Sequence, residues 1–240
     1  MGIQSKQGAR ASNVLMTKLI ERILEPELMD DPGQALAYAE ADFEAAHGEI
    51  VHQFGRVFPG NEVRGRVMDL GCGPADFTVR FAHKFPNCQI EGIDGSEPML
   101  KLGRERIARE GLSARIQLFH RVLPDERLVQ NVYSTVISNS LLHHLHDPLL
   151  LWSTVKRIAS GGALVFIADL RRPETKRQAG GLVRTYSAGE PQLLKRDFYH
   201  SLLAAFTPQE VQRQLLRSGL NTLKVEIIDD RHLLIFGQLS

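Results

Sequence analysis

A glycine-rich turn between a predicted strand and a predicted helix carries the strongest chemical signal in the chain. Residues 67–77 read VMDLGCGPADF, in which an acid, Asp69, precedes Gly71 and Gly73. Glycines in such a turn let the backbone approach a ligand closely, because a Cβ would occupy the ligand's space. A Gly-x-Gly pair alone is a weak signal, so the neighbouring residues must indicate which ligand it serves.

The acids around this turn favour a cationic nucleoside over a dinucleotide. The third glycine position of a dinucleotide fingerprint, counted from Gly71, holds Asp76, which would repel a phosphate at the helix N-terminus. Asp94 lies 21 residues after Gly73, at the end of the next predicted strand, where it can accept hydrogen bonds from both ribose hydroxyls. Asp69 suits a ligand with a positive group. S-adenosyl-L-methionine is such a ligand, because it carries an ammonium and a sulfonium but no phosphate.

The elements that must position these residues alternate between strand and helix, which is typical of βαβ units and a parallel sheet. Strands are predicted at residues 66–70, 89–94, 115–120, 133–139 and 163–169. Helices are predicted at residues 77–84, 98–110, 127–129, 149–159, 193–205 and 207–217, the last with a capping box. Gly161-Gly162 predicts a turn, and residues 223–238 predict a terminal hairpin.

Composition limits the class of protein. The 240 residues carry a formal charge of +1 and are 43% hydrophobic, which excludes bulk disorder and fibrous architectures. The balanced charge argues against a protein that coats nucleic acid, and two cysteines cannot build a disulfide framework. No apolar run reaches the roughly 18–20 residues of a membrane-spanning helix, and the first ten residues lack the apolar stretch of a secretion signal. We therefore predict a cytoplasmic protein with no membrane partner.

Three segments together resemble the class I S-adenosylmethionine-dependent methyltransferases. They are VMDLGCGPADF, IEGIDGSEPML and ISNSLLHHLHDP, in that order and at family-like spacing, within roughly residues 60–170. The most similar branch comprises small-molecule methyltransferases such as those of ubiquinone and menaquinone biosynthesis. The resemblance implies an α/β, Rossmann-like seven-stranded sheet, mostly parallel with an antiparallel C-terminal hairpin strand, and with helices on both faces. The motifs are specific for the cofactor and uninformative about the acceptor, and we predict in-line methyl transfer to a small organic acceptor.

The resemblance assigns site residues as well. The methionine end of the cofactor would lie against the turn, the ribose and adenine against the second strand and the residues after it, and the methyl group near the end of the fourth strand. Arg121 and Val122 stand where the family often has an acid that touches adenine, so backbone groups would make that contact here. The implied set is Asp69, Leu70, Gly71, Cys72, Gly73, Asp94, Gly95, Met99, Arg121, Val122, Asn139 and Ser140.

The remaining chain would cover this domain. Residues 1–60 predict a helical cap, with one amphipathic helix at 14–25 and another that begins at Asp31-Pro32 and runs to Pro59-Gly60. Residues 61–240 would form the cofactor-binding domain, with a loop or partly helical insert at about 171–206 over the active site. The basic side chains of that insert would be solvated or would bind an anionic acceptor.

A general base is needed only if the acceptor must lose a proton, and His143, His144 and Tyr38 are the candidates. Clustered histidines can also bind metal. Adjacent histidines at a strand end point apart, however, and no Cys or Glu nearby in the sequence completes a tetrahedral set. The sequence therefore predicts no metal site.

Two other functions remain open at this point. A tRNA or protein methyltransferase would use the same cofactor, although the near-neutral charge and the lack of an RNA-binding appendage disfavour it. A non-catalytic S-adenosylmethionine-binding protein would keep the fold without the reaction. A small-molecule substrate is the favoured partner, with no nucleic acid expected, and a homodimer is compatible with the sequence.

Overall fold

The computed structural model describes residues 19–240, and within them seven strands form one sheet. Five strands are mutually parallel: β1 (Gly65–Leu70), β2 (Cys88–Asp94), β3 (Ile116–His120), β4 (Tyr133–Asn139) and β5 (Ala159–Leu170). The last two strands, β6 (Lys224–Ile227) and β7 (His232–Gln238), are antiparallel to their neighbours. The sheet order is β3-β2-β1-β4-β5-β7-β6, which confirms the predicted fold class.

Helices cover both faces of the sheet. They are α1 (Pro32–Glu40), α2 (Glu44–Val57), α3 (Asp76–Lys84), α4 (Glu97–Arg109), α5 (Leu149–Ile158), α6 (Lys176–Tyr186), α7 (Gln192–Ala204) and α8 (Pro208–Ser218). Successive strand residues alternate between two cores, so that Val67 packs with Phe54 of α2, whereas Met68 packs with Trp152 of α5. Because both faces are buried, the strands read as nearly continuous apolar runs.

The sheet order reverses direction between β1 and β4. In such a sheet, a crevice opens outside the carboxyl ends of the strands at the point of reversal. Asp69 and Asn139 lie at the carboxyl ends of these two strands, and Asp94 ends the adjacent β2. The topology therefore gathers the predicted residues at one edge of the sheet.

The N-terminal region differs from the sequence-based expectation. Residues 14–18 of the predicted first helix lie outside the described residues, and residues 19–31 contain no helix. Their backbone pairs with distant parts of the chain instead, since Ile20 N–H donates to the Glu174 carbonyl and Ile23 N–H to that of Leu203. These tertiary hydrogen bonds replace the intrahelical bonds that the apolar stripe predicts, because propensity is weaker than tertiary context.

The second predicted helix is divided in two. Asp31 caps α1 through its side chain and Pro32 occupies the first turn, as predicted, but the helix ends at Glu40 and α2 begins at Glu44.

Two smaller expectations, a short helix at residues 127–129 and a turn at Gly161-Gly162, were also wrong. Residues 127–129 contain no helix, and the chain turns at residues 126–127, where Asp125 accepts hydrogen bonds from the backbone and guanidinium of Arg127.

The Gly161-Gly162 pair was expected to form a turn outside the strand, but it lies inside β5. Gly162 adopts a positive φ there, beside a register irregularity between β4 and β5. The insert at 171–206 contains two helices, α6 and α7, and Thr175 begins α6 with a capping box. Across residues 19–240, no helix is both long and apolar enough to cross a bilayer.

Candidate functional site

A cavity of about 620 Å³ opens at the carboxyl ends of β1, β2 and β4. Its wall contains every site residue suggested by the sequence except Leu70, which is fully buried in the core. The lining residues from that set are Tyr38, Asp69, Gly71, Cys72, Gly73, Asp94, Gly95, Met99, Arg121, Val122, Asn139, Ser140, His143 and His144. Asp69 and Asp94 thus face the same space, on the same side of the sheet.

Asp69 is buried at the floor of the cavity. Its Oδ2 accepts a hydrogen bond of 2.6 Å from the Thr78 hydroxyl, while its Oδ1 has no hydrogen-bond partner within residues 19–240. Burial, with a smaller contribution from the nearby Asp94 charge, raises the pKa of Asp69 to about 7. An unpartnered, buried carboxylate oxygen facing a cavity is suited to a positively charged ligand.

The two glycines of the turn serve different purposes. Gly71 has φ +71°, and a Cβ there would lie 2.8 Å from the Leu141 side chain, so packing rather than a ligand excludes a side chain at this position. At Gly73, with φ +50°, a Cβ would meet no described atom within 4 Å. The sequence predicted that both glycines leave space for a ligand. In the structure Gly73 does so, whereas the Leu141 side chain fills the space beside Gly71. Burial raises the pKa of the Cys72 thiol between them, which argues against a nucleophilic thiolate.

Asp94 joins the loops that follow β1 and β2. Its Oδ2 accepts from Gly73 N–H and its Oδ1 from Ser96 N–H, both at 2.8 Å. Ser96 in turn caps α4 by accepting from Met99 N–H, which holds the buried Met99 at the cavity wall. Each carboxylate oxygen of Asp94 keeps a further lone pair that can accept a hydrogen bond from a ligand.

The residues after β3 form the outer wall. Arg121 N–H donates to the Asp94 carbonyl at 2.9 Å, and Val122 is half exposed beside Gly95. The nearest acid along the chain, Asp125, is bound by the guanidiniums of Arg121 and Arg127. This carboxylate is already paired with cations, so it is unsuited to contact a ligand amine.

The histidines lie in a turn after β4. Ser140 adopts φ +60°, and the chain then turns so that the rings of His143 and His144 lie 4.2 Å apart. The expectation that they point apart was therefore wrong. His143 Nδ1 donates to Asp169 Oδ1 at 2.6 Å, and burial, assisted by the charge of His143, lowers the pKa of His144 to about 3. His144 is neutral near pH 7.

Aromatic side chains from α1 and the residues between α1 and α2 line the side of the cavity opposite the sheet. Tyr38 and Phe43 lie there with ring centroids 4.8 Å apart. Burial raises the pKa of Tyr38 to about 12, so its phenol stays protonated near pH 7 and is a poor base. Phe198 of α7 faces the same space.

Sequence reasoning missed two acids near the histidines. Asp169 ends the predicted fifth strand, so the argument that selected Asp69 and Asp94 also applied to it. Glu25 had no such signal, because it belonged to a predicted helix far along the sequence. In the structure, Glu25 Oε1 lies 3.4 Å from His144 Nδ1 and 3.6 Å from His143 Nε2. A Glu does therefore complete a group with the two histidines.

The basic side chains of the insert at 171–206 were expected to be solvated or to bind an anionic acceptor. Arg172 of that insert is instead buried, and its guanidinium pairs with Glu210.

Comparisons with known proteins identify the same region. Residues 67–162 match a family profile described as "Methyltransferase domain". The chain is 30% identical over 102 residues to the malonyl-[acyl-carrier protein] O-methyltransferase of Bacillus cytotoxicus, covering 42% of this chain and 34% of that protein. It is 26% identical over 109 residues to the demethylmenaquinone methyltransferase of Bacteroides fragilis, covering 45% and 44%. The chain thus spans less than half the length of both relatives.

The fold also matches solved structures. One is a SAM-dependent methyltransferase from Aquifex aeolicus, with a TM-score of 0.65 and 17% sequence identity. The superposition covers 88% of this chain and 99% of that one. At this identity the match concerns the fold, and it extends well beyond the segment matched by the family profile.

Proposed function

We propose that this chain, which carries a class I S-adenosylmethionine-dependent methyltransferase domain, transfers the methyl group of that cofactor to a small organic acceptor. The observation that supports a small acceptor is the cavity of about 620 Å³, in which the wall formed by the sheet faces the aromatic side chains Tyr38, Phe43 and Phe198. Pockets of ~300–1,000 Å³ with mainly apolar walls are typical of small-molecule sites.

The residues of the sheet wall fit the cofactor. The unpartnered Oδ1 of Asp69 suits the ammonium of the methionine end, and the space beside Gly73 lets the backbone approach it. Asp94 retains lone pairs for the two ribose hydroxyls. Met99, Asn139 and Ser140 line the same cavity, where Met99 would supply an apolar surface for the adenine and the other two would face the methyl group.

The protein's task in such a reaction is positioning. The bound cofactor supplies an activated methyl group on its sulfonium. Holding an acceptor in line with that bond can contribute up to ~7–11 kcal/mol of the rate acceleration. Segment 19–31, α1, α2 and the insert 171–206 form a cap that excludes water from the acceptor half of the cavity. The cap and the cofactor-binding domain, which the sequence divides at residue 60, share one core, because Phe54 of α2 belongs to the same buried cluster as Val67 of β1.

Cofactor affinity should increase about tenfold between pH 6 and pH 8, because Asp69 has a pKa of about 7 and only its carboxylate attracts the ammonium. Below this pKa the group is neutral, so the attraction is lost as pH falls. Calorimetric titration with S-adenosylmethionine across this range measures the effect. Asp69→Asn should bind weakly with a flat profile. A wild-type profile in that variant would assign the titration to another group.

Replacement of Asp94 by alanine should weaken cofactor binding by about 1.5–3 kcal/mol, since charge-assisted hydrogen bonds to the ribose are lost. The same calorimetry measures this loss, with circular dichroism to confirm the fold. Asp31→Ala, which removes the capping side chain of α1, serves as a control that leaves the nucleoside wall intact. Unchanged affinity in a folded Asp94→Ala protein would contradict the ribose assignment.

The proposed function is tested by its acceptor. The protein is incubated with S-adenosylmethionine labelled on the methyl group and with a metabolite extract, bulk tRNA or bulk protein in parallel. We expect label in the small-molecule fraction. Label in tRNA or protein would instead support a macromolecular methyltransferase. Tight cofactor binding without transfer to any of the three would support a non-catalytic binding protein.

A further inference from the structure

Three side chains beside the proposed acceptor site direct ligand atoms toward one point. The atoms are Glu25 Oε1, one ring nitrogen of His143 and one of His144, and all lie within 4.8 Å of one another. Glu25 Oε1 is 3.6 Å from His143 Nε2 and 3.4 Å from His144 Nδ1. Bonds of about 2.0–2.1 Å to a tetrahedral zinc ion separate neighbouring ligand atoms by about 3.3–3.5 Å. The two separations from Glu25 Oε1 agree with that geometry, and the two histidine nitrogens lie within 4.8 Å of each other.

Glu25 supplies a second, independent observation. Its side chain is 8% exposed, and Oε1 has no hydrogen-bond partner in the part of the chain that the structure describes. The other oxygen, Oε2, accepts from the Ser201 hydroxyl at 3.2 Å, which fixes the direction of the carboxylate. A buried carboxylate oxygen without a partner is costly, so a cation between Oε1 and the two imidazoles would satisfy it.

The surrounding contacts orient the imidazoles for this role. Asp169 Oδ1 accepts the Nδ1 proton of His143 at 2.6 Å, so that Nε2 is the nitrogen toward Glu25 and offers its lone pair to a metal ion that displaces its proton. A carboxylate that holds the far nitrogen of a histidine is the usual outer shell of a histidine–metal site. The Arg22 guanidinium donates to the His143 carbonyl at 2.8 Å and holds the turn in place.

His144 presents its Nδ1 to the same point. This nitrogen is also 3.4 Å from the Pro26 carbonyl oxygen, which is too long for a strong hydrogen bond. Only an Nδ1–H can donate to this carbonyl, so a neutral His144 loses no more than one weak hydrogen bond when its proton moves to Nε2 and its Nδ1 lone pair faces the same point. Both histidines also line the cavity, so a ligand bound between them faces the acceptor.

We propose that Glu25 Oε1, His143 Nε2 and His144 Nδ1 bind a divalent transition-metal ion of the zinc type, with a fourth position open to the cavity. Two histidines and one glutamate with an open position form a donor set typical of catalytic zinc. The open position would take a hydroxyl oxygen of the acceptor in place of a metal-bound hydroxide, which would leave as water with the acceptor's proton. The acceptor oxygen would then form its bond to the methyl carbon as the sulfur–carbon bond breaks and S-adenosylhomocysteine is released. This second role rests on the proposed methyl transfer, whereas metal binding itself does not.

The test is a metal titration of the full chain after treatment with a chelator and dialysis. Titrated with Co²⁺ or Zn²⁺ in a calorimeter, the wild-type protein should bind one ion, and the cobalt form should show the visible absorption of four-coordinate Co²⁺. Glu25→Gln and His144→Ala should each weaken binding more than about tenfold, because each removes a direct ligand. Failure of the wild type to bind either metal, or wild-type affinity in Glu25→Gln, would overturn the proposal.

Matched controls lie beside each ligand. Glu27→Gln and His146→Ala remove exposed neighbours of the same type, and both should keep wild-type metal affinity. Thermal melts provide a second measurement, since a metal that binds the folded state raises the melting temperature. Zinc should raise it in the wild type and in the controls but not in Glu25→Gln.

S-adenosylhomocysteine titrations of the same samples separate the two proposals. Affinity for this nucleoside should be near wild type in Glu25→Gln and His144→Ala, because Asp69 and Asp94 are unchanged. Zinc binding without nucleoside binding would contradict the proposed function and leave the metal site supported. Nucleoside binding without zinc binding would contradict the metal site alone.

Discussion

Replacement of Asp76 by alanine should lower the free energy of unfolding by about 3 kcal/mol, because it leaves two partly buried guanidiniums without their counter-charge. The Asp76 side chain is 12% exposed at the start of α3. It accepts from His47 Nδ1 at 2.7 Å and from Arg80 Nε at 2.9 Å, and it also contacts the Arg106 guanidinium. These partners lie on α2, α3 and α4, so one carboxylate joins three helices. Urea unfolding at pH 7 measures the loss.

The same carboxylate predicts a pH dependence. Despite its burial, hydrogen bonds from His47 and Arg80 hold the pKa of Asp76 well below its usual value. The stabilisation is therefore present above the unfolded pKa of about 4 and is lost as the pH falls below it. Glu49→Ala, an exposed acid on α2, is the control and should change stability by less than about 0.5 kcal/mol. If Asp76→Ala matched this control, the carboxylate would not be needed to join the helices.

Truncation of Trp152 to alanine should have a similarly large effect, about 3–5 kcal/mol. Trp152 is fully buried in the core between the sheet and α8, and its indole N–H donates to Gln214 Oε1 at 2.9 Å. The substitution removes a large apolar side chain and leaves a buried amide oxygen unpaired. The midpoint and slope of a urea transition, followed by far-UV circular dichroism, measure the change.

A graded series distinguishes the causes of that effect. Trp152→Phe keeps most of the apolar volume and should lower the free energy of unfolding less than Trp152→Ala does. Phenylalanine also loses the hydrogen bond to Gln214, but it leaves a smaller cavity. Leu216→Ala on α8 removes a side chain that is 67% exposed and should change stability little. Equal losses in Trp152→Phe and Trp152→Ala would attribute the whole effect to the hydrogen bond.

The strands and the cofactor side of the cavity could be predicted from sequence because their determinants are local. An apolar run, then Asp69, then a glycine turn specifies a strand end and its exit, and the same reasoning places Asp94. The ends of parallel strands meet at one edge of the sheet, so topology alone brings these acids together. Asp169 satisfied the same rule and was missed because no glycine turn follows it.

The acceptor side could not be predicted in the same way, because its contacts join residues far apart in the chain. The apolar spacing of residues 14–25 predicted a helix, yet residues 19–25 contain no helix, and Glu25 reaches His143 and His144 through tertiary packing. The histidines were treated as strand residues. The strand ends at Asn139, and the left-handed Ser140 redirects the chain, which sequence spacing does not reveal.

The Arg22 guanidinium has a consequence for the order in which the molecule assembles. It donates to the carbonyl oxygens of His143, Leu145 and Ala204, which follow it by 121 to 182 residues. These three carbonyl groups reach their native positions only after β4, β5 and α7 have packed together. Arg22 is synthesised before all three of its acceptors, so its side chain can dock only after the chain has been made as far as Ala204. The segment that contains Arg22 is therefore synthesised before its partners but reaches its native position after them.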